Sequence, residues 1–262
     1  MIDSHCHLTY PGLHEILDEA VEEAKKTLDA VVTCGLPYEK VKTNRYTALE
    51  SLDLSQKNPG FIFVTLGLHP TQVPEMSDEE IERYISFIRE NSGSIVGIGE
   101  IGLDKYWIKD DEVHRRVKEV FKKMLRLAEE LGKPVVIHSR KAEGEALEVV
   151  ETFSLKKVLF HSYTGNMTVA KKVLEHDYYF SVNYRVTNTK TMRKIARSFP
   201  LDRILTETDA PFLSPVGGVN RPANVRYVVE EIAKLRKMDV SEVDLVTTKN
   251  AIEFYSLKVL KK

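Results

Sequence analysis

The 262-residue sequence has few of the features that mark secreted or membrane proteins. Its two cysteines, Cys6 and Cys34, are too few for a disulfide framework and favour a reduced, cytoplasmic setting. No apolar run approaches the roughly 20 residues of a membrane span, and the first residues lack the basic-then-apolar pattern of a signal peptide. We therefore expect a cytoplasmic protein without membrane contact.

The sequence also lacks an excess of positive charge. Its 38 Lys and Arg residues face 39 Asp and Glu residues, which gives a net charge of −1. Proteins that hold nucleic acid mainly by charge carry a basic excess, so any such binding must depend on a local site. With 42% hydrophobic and 29% charged residues, the composition excludes a disordered tail and indicates a globular fold.

What the sequence does contain is a regular alternation of short β-branched runs and charged amphipathic segments. Apolar residues in the amphipathic segments repeat near a period of 3.6, which predicts helices. Eight strand-helix units predict an α/β fold, a closed (β/α)₈ TIM barrel that forms one domain over residues 1–262. No G-x-G-x-x-G motif follows the first strand, which counts against an open dinucleotide-binding sheet. The predicted strands are 2–8, 30–34, 61–66, 95–101, 134–138, 158–161, 178–182 and 203–208, and the predicted helices include 13–28, 79–90, 113–131, 167–175, 225–237 and 241–255.

Residues with metal-ligating side chains fall at the carboxyl ends of the predicted strands. In a barrel of this type the loops at those ends form the active face. Four imidazoles and two carboxylates are a donor set typical of two divalent cations, with Mg²⁺, Mn²⁺ or Zn²⁺ as candidates. The six predicted ligands are His5, His7, Glu100, His138, His161 and Asp209.

Each of these residues also has an ordinary interpretation when it is considered alone. His5 and His7 share one strand face because they are two residues apart, yet such pairs are often only half-buried histidines. Glu100 ends an apolar, glycine-rich run, where a carboxylate is costly to bury without a cation or hydrogen bonds, unless it is exposed. Asp209 could cap a turn, although Glu207 precedes it by two residues on the same strand face. The metal site is favoured because all six lie at matching strand ends.

Further residues near the predicted strand ends are candidates for substrate contact. Arg140 and Arg221 could each bind a phosphate on the active face, or could form surface ion pairs. His69, at the end of the third strand, is predicted to contact substrate rather than to be a seventh ligand. Tyr106 and Trp107 could stack on a base or cover the site, although aromatic residues in loops are more often packing residues.

Seven short motifs together resemble the TatD family of metal-dependent deoxyribonucleases, which are amidohydrolase-like barrels. The resemblance extends along almost the whole chain. In the loop after the eighth strand the family usually has Arg or Lys followed by Asn-Glu-Pro, whereas residues 219–222 read VNRP. The motifs are DSHCH at 3–7, GLHP at 67–70, GIGEIGLD at 97–104, HSR at 138–140, HSYTG at 161–165, ETDAP at 207–211 and TTKNA at 247–251.

The resemblance implies a hydrolase that cleaves phosphodiester bonds of DNA and trims the DNA from a 3′ end. It implies that His5, His7 and Asp209 bind one metal, that His138 and His161 bind the second, and that Glu100 bridges them. Asp209 is our candidate general base. We expect DNA as substrate, no obligate protein partner, and an affinity that depends little on salt because no basic stripe is visible.

Two alternatives remain at this point. A related binuclear hydrolase could act on a small amide, lactone or phosphate ester, because a fold does not fix its substrate. Many such barrels have a lysine on the fourth strand, and residues 95–101 contain none. The other alternative is a non-catalytic barrel that keeps metals for stability, and the presence of all six ligand types argues against it.

Overall fold

The structure is a computed structural model that describes residues 1–38 and 46–260, so residues 39–45 and 261–262 of the predicted domain lie outside it. Within these ranges, eight parallel strands form one sheet in which each strand pairs with the next along the chain. Both faces of the strands are buried, as is typical of parallel sheets covered by helices. The strands are β1 (Ile2–Cys6), β2 (Ala30–Gly35), β3 (Ile62–Leu66), β4 (Gly97–Asp104), β5 (Val135–Arg140), β6 (Val158–Phe160), β7 (Tyr179–Val182) and β8 (Ile204–Thr206).

Helices follow the strands and cover the outside of the sheet. The longest, α4, buries an apolar face that includes Val117, Phe121 and Met124, begins with Asp110 as its cap, and ends before Gly132. Gly132 adopts a φ of 62°, in the left-handed region that glycine enters without a steric cost. The helices in the described ranges are α1 (Leu17–Thr27), α2 (Ala48–Lys57), α3 (Asp78–Glu90), α4 (Asp111–Leu131), α5 (Glu143–Val150), α6 (Met167–Glu175), α7 (Lys190–Ser198), α8 (Val225–Arg236) and α9 (Val240–Tyr255).

Hydrogen bonds between the first and last strands bring the two edges of the sheet together. The Asp209 amide donates to the His5 carbonyl at 3.0 Å, and the His7 amide donates to the Ala210 carbonyl at 2.7 Å. The Asp3 carboxylate accepts hydrogen bonds from the amide and the hydroxyl of Thr208. The predicted (β/α)₈ barrel is therefore confirmed, with these bonds linking β8 to β1.

The two ends of the barrel have different character. At the amino-terminal end of the strands, Phe254 and Tyr255 of α9 pack in one apolar cluster with Ile2, Val32 and Leu205. The Tyr255 hydroxyl donates to the Ser4 carbonyl at 3.0 Å. Helix α9 therefore closes this end with apolar side chains, and the polar strand ends face the opposite side.

The predicted strands and helices agree with the observed ones except at some boundaries. Strand β4 continues to Asp104, three residues beyond the predicted end at 101. Gly102 makes this continuation possible, because its φ is 150° and a Cβ there would lie 1.9 Å from the His138 carbonyl oxygen. Helix α1 begins at Leu17 rather than 13, after a short 3₁₀ turn at His14–Ile16. In the described part of the chain, no helix combines the length and apolar character needed to cross a membrane.

Candidate metal centre

The six predicted ligands converge at the carboxyl ends of the strands. His5 lies on β1, Glu100 on β4 and His138 on β5, and the other three lie within three residues after β1, β6 and β8. The ring centroids of His5 and His7 are 4.9 Å apart, and those of His5 and His161 are 4.3 Å apart. The barrel topology explains this convergence, because parallel strands end at the same edge.

Glu100 lies between two groups of histidines, His5 with His7 and His138 with His161, and directs one carboxylate oxygen to each group. Its Oε2 is 3.5 Å from His5 Nε2 and 3.6 Å from His7 Nε2. Its Oε1 is 2.6 Å from His138 Nδ1 and 3.0 Å from His161 Nε2. This division of the oxygens is the geometry that a bridging carboxylate requires.

Asp209 belongs to the group formed by His5 and His7. Its Oδ1 is 3.9 Å from His5 Nε2 and 3.7 Å from His7 Nε2. Asp209 adopts a φ of 57°, a left-handed conformation that Asp tolerates better than most residues. Its side chain is 18% exposed and that of Glu100 is 4% exposed, so Asp209 is the carboxylate that is open to solvent.

Burial and the surrounding histidines act in opposite directions on the two carboxylates. Burial raises the pKa of Glu100, but the His161 and His138 imidazoles outweigh it and hold this pKa well below its usual range. Burial also raises the pKa of Asp209, and the neighbouring His7 imidazole helps to bring this pKa below the usual value. Both carboxylates are therefore ionised at neutral pH, as metal ligands must be.

The donor set fits divalent cations. One ligand atom from each of His5, His7 and Glu100 lies within 4.8 Å of the others, and the same holds for His5, His161 and Asp209. His5 Nε2 is buried and has no hydrogen-bond partner among the described residues. A buried nitrogen without a partner is costly unless a cation or water occupies the space in front of it.

Two further carboxylates contact His138 and His161 at the ring nitrogen that does not face Glu100. Asp104 Oδ2 is 3.0 Å from His138 Nε2, and its Oδ1 accepts backbone hydrogen bonds from Tyr106 and Trp107. Glu207 Oε1 is 3.2 Å from His161 Nδ1 and accepts a hydrogen bond from Asn183. Metal-ligating histidines commonly donate their other N–H to a carboxylate, which fixes the tautomer and the ring orientation.

The sequence pattern indicates these two supporting residues only in part. Glu207 was expected to face inward, but with no partner assigned. Asp104 lies beyond residue 101, where the sequence predicts the end of the fourth strand. The available signal was the spacing between Glu100 and Asp104, since residues four apart lie on the same face of a strand.

His69 lies closer to the centre than a substrate contact alone would require. Its Nε2 is 3.3 Å from His138 Nδ1 and 3.6 Å from Glu100 Oε1, and its Nδ1 is 2.7 Å from the Thr71 hydroxyl. Burial and the neighbouring His138 lower the pKa of His69 to about 3, so its imidazole is neutral. His69 also lines the cavity, and its contact with substrate stays a prediction.

A cavity of about 610 Å³ opens above the centre, and most of the predicted site residues line it. Arg140 lies on its wall with its guanidinium stacked 3.9 Å from the centre of the Tyr106 ring. Trp107 and Phe212 line it with 65% and 41% of their surfaces exposed. The cavity therefore combines carboxylates and imidazoles at its floor with a cation and aromatic rings higher up.

One predicted arginine lies away from the cavity, and one arginine that was not predicted lines it. Arg221 does not line the cavity, because its guanidinium pairs with Glu19 at 2.7 Å and with Glu23 at 3.1 Å, both on α1. Arg185, in the loop after β7, does line it. The Arg185 Nε atom is buried and has no hydrogen-bond partner in the described part of the chain. Sequence reasoning missed Arg185.

The fold and the donor set define a metal-dependent hydrolase built on a (β/α)₈ barrel. The sequence model of the family described as TatD related DNase matches residues 2–256. The chain therefore belongs to the TatD family.

Individual relatives are similar along nearly their whole length. An uncharacterized metal-dependent hydrolase of Methanocaldococcus jannaschii is 36% identical, with 98% of each chain covered. The human deoxyribonuclease TATDN3 is 30% identical, with 97% of this chain and 94% of that protein covered. The crystal structure of the TatD homologue YJJV from Escherichia coli K12 superimposes with a TM-score of 0.85 at 23% identity, with 98% of each chain covered, and shows the same fold.

Proposed function

We propose that this protein is a deoxyribonuclease that removes nucleotides from the 3′ end of DNA and uses two divalent cations. The observation that carries the proposal is the division of the Glu100 oxygens between two histidine groups beneath a cavity that contains arginines. The resemblance to human TATDN3, which is named a deoxyribonuclease, supports DNA as the substrate.

In this proposal the six ligands hold two cations. His5, His7, Asp209 and Glu100 Oε2 would bind one, and His138, His161 and Glu100 Oε1 would bind the other. Divalent cations in such a site supply Lewis acidity, which lowers the pKa of a coordinated water towards ~7 and offsets charge on a phosphoryl oxygen. Mg²⁺, Mn²⁺ and Zn²⁺ all remain candidates, because imidazoles suit Zn²⁺ and Mn²⁺ while phosphoryl chemistry often uses Mg²⁺.

The chain's own groups supply the proton transfer and the orientation of the substrate. Asp209 accepts the proton of the attacking water, because it is the more exposed carboxylate and faces the cavity. Arg140 and Arg185 donate hydrogen bonds to phosphate oxygens, since guanidinium groups match the geometry of phosphate. The exposed Trp107 and Phe212 provide flat apolar surfaces against which bases can stack.

The size of the cavity favours cleavage at a strand end. A volume of about 610 Å³ lies within the range of small-molecule pockets, so it holds a terminal nucleotide with its neighbour and not a duplex. The metal ligands lie at its floor, which suits a strand that enters by its end. This is the physical basis for proposing an exonuclease.

The arginines also argue against a neutral amide or lactone as substrate. Arg185 keeps a buried donor without a partner, and burial of an unpaired donor costs about 1–3 kcal/mol. An anionic substrate would satisfy that donor, whereas a neutral ring would satisfy it less well. In addition, β4 contains no lysine, the residue that many related amide hydrolases have on this strand.

The proposal is tested with metal-stripped protein and single-stranded DNA labelled at its 5′ end. We expect a ladder of products that shortens from the 3′ end after addition of Mg²⁺, Mn²⁺ or Zn²⁺, and no products in EDTA. The same DNA with a 3′ label should release labelled mononucleotide first. Absence of products with every metal, together with hydrolysis of a cyclic amide or a lactone, would assign the site to the alternative class.

A further inference from the structure

The outer surface of α7 carries a row of cations that the metal centre does not use. Residues 178–201 contain five Lys and Arg residues and no Asp or Glu. The four on α7 are all exposed, and we refer to them as the α7 stripe: Lys190, Arg193, Lys194 and Arg197. The expectation of no basic stripe is therefore wrong, because a net charge of −1 averages over the chain and hides a local excess.

The helical geometry places these cations on one face. Met192, Ile195 and Ala196 are the buried residues of α7. At about 100° per residue, the four cations fall within an arc of about 100° on the opposite side. They extend over about 10 Å along the helix axis, a length that matches about three phosphates at 3.4 Å spacing.

The stripe residues have no carboxylate partner among the described residues. Some cations on other helices are paired, as in Arg83 with Glu79 at 2.8 Å and Lys122 with Glu119 at 2.7 Å. The acids that flank the α7 segment, Asp177 and Asp202, both contact Arg203. The positive charge of the stripe is therefore not neutralised locally.

This arrangement is unfavourable for the helix itself. Cations four residues apart repel each other, and α7 contains two such pairs, Lys190 with Lys194 and Arg193 with Arg197. Lys190 lies in the first turn, where the helix dipole disfavours a cation and where α7 has no acid. A local conflict of this kind is typical of surfaces that bind a partner of opposite charge.

The stripe begins at the cavity. Arg185 lines the cavity, its carbonyl accepts the Thr189 amide at 2.7 Å, and the Thr189 carbonyl accepts the Arg193 amide at 3.0 Å. Because α7 runs antiparallel to β7, its first residue lies at the active face and its last residue lies towards the other end of the barrel. A polyanion that leaves the cavity beside Arg185 meets Lys190 first.

We propose that the α7 stripe binds the backbone of the single-stranded DNA upstream of the nucleotide in the cavity. This inference rests on the proposed function, because it extends the path of the same substrate. The cavity holds only the strand end, so the remainder of the strand has to lie on the outer surface, and the stripe is an unpaired cationic surface, within the described part of the chain, that begins at the cavity. The stripe makes affinity depend on DNA length and on salt.

The test compares two double variants in the full-length protein. Arg193→Gln with Arg197→Gln removes half of the stripe, and Arg115→Gln with Arg126→Gln removes two exposed arginines of α4 as the matched control. Binding of fluorescent (dT)₃ and (dT)₂₄ is measured by anisotropy in EDTA, where no cleavage occurs. Turnover of both oligonucleotides is then measured with the activating metal.

We expect the stripe variant to bind (dT)₂₄ about 10-fold more weakly at low salt, with unchanged binding and turnover of (dT)₃. The slope of log affinity against log salt should fall by about 1.4, since each phosphate contact with a single strand contributes about 0.7. The control variant should behave as the wild type does. Both variants should melt no lower than the wild type, because the changes lie on exposed surfaces.

Several results would overturn the inference. The first is an equal loss of (dT)₂₄ affinity in both variants, and the second is an affinity that does not depend on DNA length. The third is wild-type affinity of the stripe variant for (dT)₂₄, combined with loss of its sedimentation with phosphatidylserine vesicles. The last result would assign the stripe to a membrane surface. A protein that cleaves no DNA with any metal, yet shows the length-dependent loss, would overturn the nuclease proposal and support the stripe.

Discussion

At the scale of single residues, the hydrogen bond between Asp104 and His138 decides which ring nitrogen is free to bind a metal. Asp104 Oδ2 accepts a hydrogen bond from His138 Nε2, so a neutral imidazole that keeps its proton on Nε2 has Nδ1, the nitrogen on the side of Glu100, available for a cation. Asp104→Asn keeps Oδ1 for the amides of Tyr106 and Trp107 but presents an NH₂ group to Nε2. His138 would then carry its proton on Nδ1, where it cannot ligate.

We therefore expect Asp104→Asn to weaken metal binding by about 10- to 100-fold while the melting temperature of the metal-free protein changes little. Titration calorimetry with Mn²⁺ or Zn²⁺ measures the affinity. Glu112→Gln, an exposed change in the first turn of α4, is the control. Unchanged metal affinity in Asp104→Asn would remove His138 from the ligand set or Asp104 from its support.

The two carboxylates of the centre are predicted to differ when each is changed to its amide. Glu100→Gln removes the charge that lies between both histidine groups, so metal occupancy and activity should fall together. Asp209→Asn keeps one oxygen near His5 and His7, so part of the metal and the DNA affinity should persist while turnover falls by about 100-fold or more. Metal stoichiometry, DNA affinity and turnover distinguish them, and near wild-type cleavage by Asp209→Asn would exclude it as the base.

At the scale of structural elements, Glu145 in the first turn of α5 connects α5 with α4 and with the loop after β4. Its Oε2 contacts His114 at 2.9 Å and Lys105 at 2.8 Å, and its Oε1 contacts Lys118 at 3.0 Å. Burial raises the pKa of Glu145, but these hydrogen bonds outweigh it and lower the pKa from 4.5 to about 2. Lys105 directly precedes the aromatic residues Tyr106 and Trp107, so Glu145 also supports the cavity wall.

The lowered pKa makes the contribution of Glu145 to stability depend on pH. Its ionised form is favoured by folding, so the contribution is complete above the unfolded pKa of 4.5 and is lost as pH falls through about 2. We expect Glu145→Gln to lower the free energy of unfolding by about 1–3 kcal/mol at pH 7, with a smaller difference at pH 3. Urea denaturation at both pH values measures it, with the exposed Glu148→Gln as control, and an equal difference at both would contradict it.

The end of strand β4 could not be predicted from the local sequence. The apolar run from Ile95 to Ile101 predicts a strand, but Gly102-Leu103-Asp104 reads locally as the start of a loop. The strand continues because the missing side chain of Gly102 allows the backbone of β5 to approach. That approach is a tertiary contact, and a local pattern could not supply it.

At the scale of the whole molecule, the barrel and the convergence of the ligands were predictable because each strand-helix unit is local in sequence. Once eight parallel units are counted, the topology brings their ends together without any knowledge of side-chain contacts. The fate of Arg221 was not predictable in this way, since its partners Glu19 and Glu23 lie about 200 residues away in sequence. Arg185 had a detectable signal in the acid-free stretch of residues 178–201, which an average over the whole chain obscures.

Because the centre is proposed to bind cations, the free energy of unfolding of the whole molecule should depend on them. His5 Nε2 is buried and has no hydrogen-bond partner in the described residues, so the metal-free fold carries the cost of an unsatisfied polar atom there. Cations that bind the folded chain and not the unfolded chain stabilise it by about 2.7 kcal/mol at a concentration of 100 Kd.

For a barrel of this length, that free energy corresponds to a rise of roughly 5 °C in melting temperature. We expect EDTA-treated protein to melt lower by about this amount and to recover when Mn²⁺ or Zn²⁺ is added in excess. Glu100→Gln should lose most of the recovery, because it lacks the charge shared by both histidine groups. His176→Ala, which removes an exposed histidine paired with Glu151 on the outside of the barrel, should recover as the wild type does. Equal recovery in both variants would mean that the cations stabilise the protein at another location, and the assignment of the six strand-end residues as ligands would then be wrong.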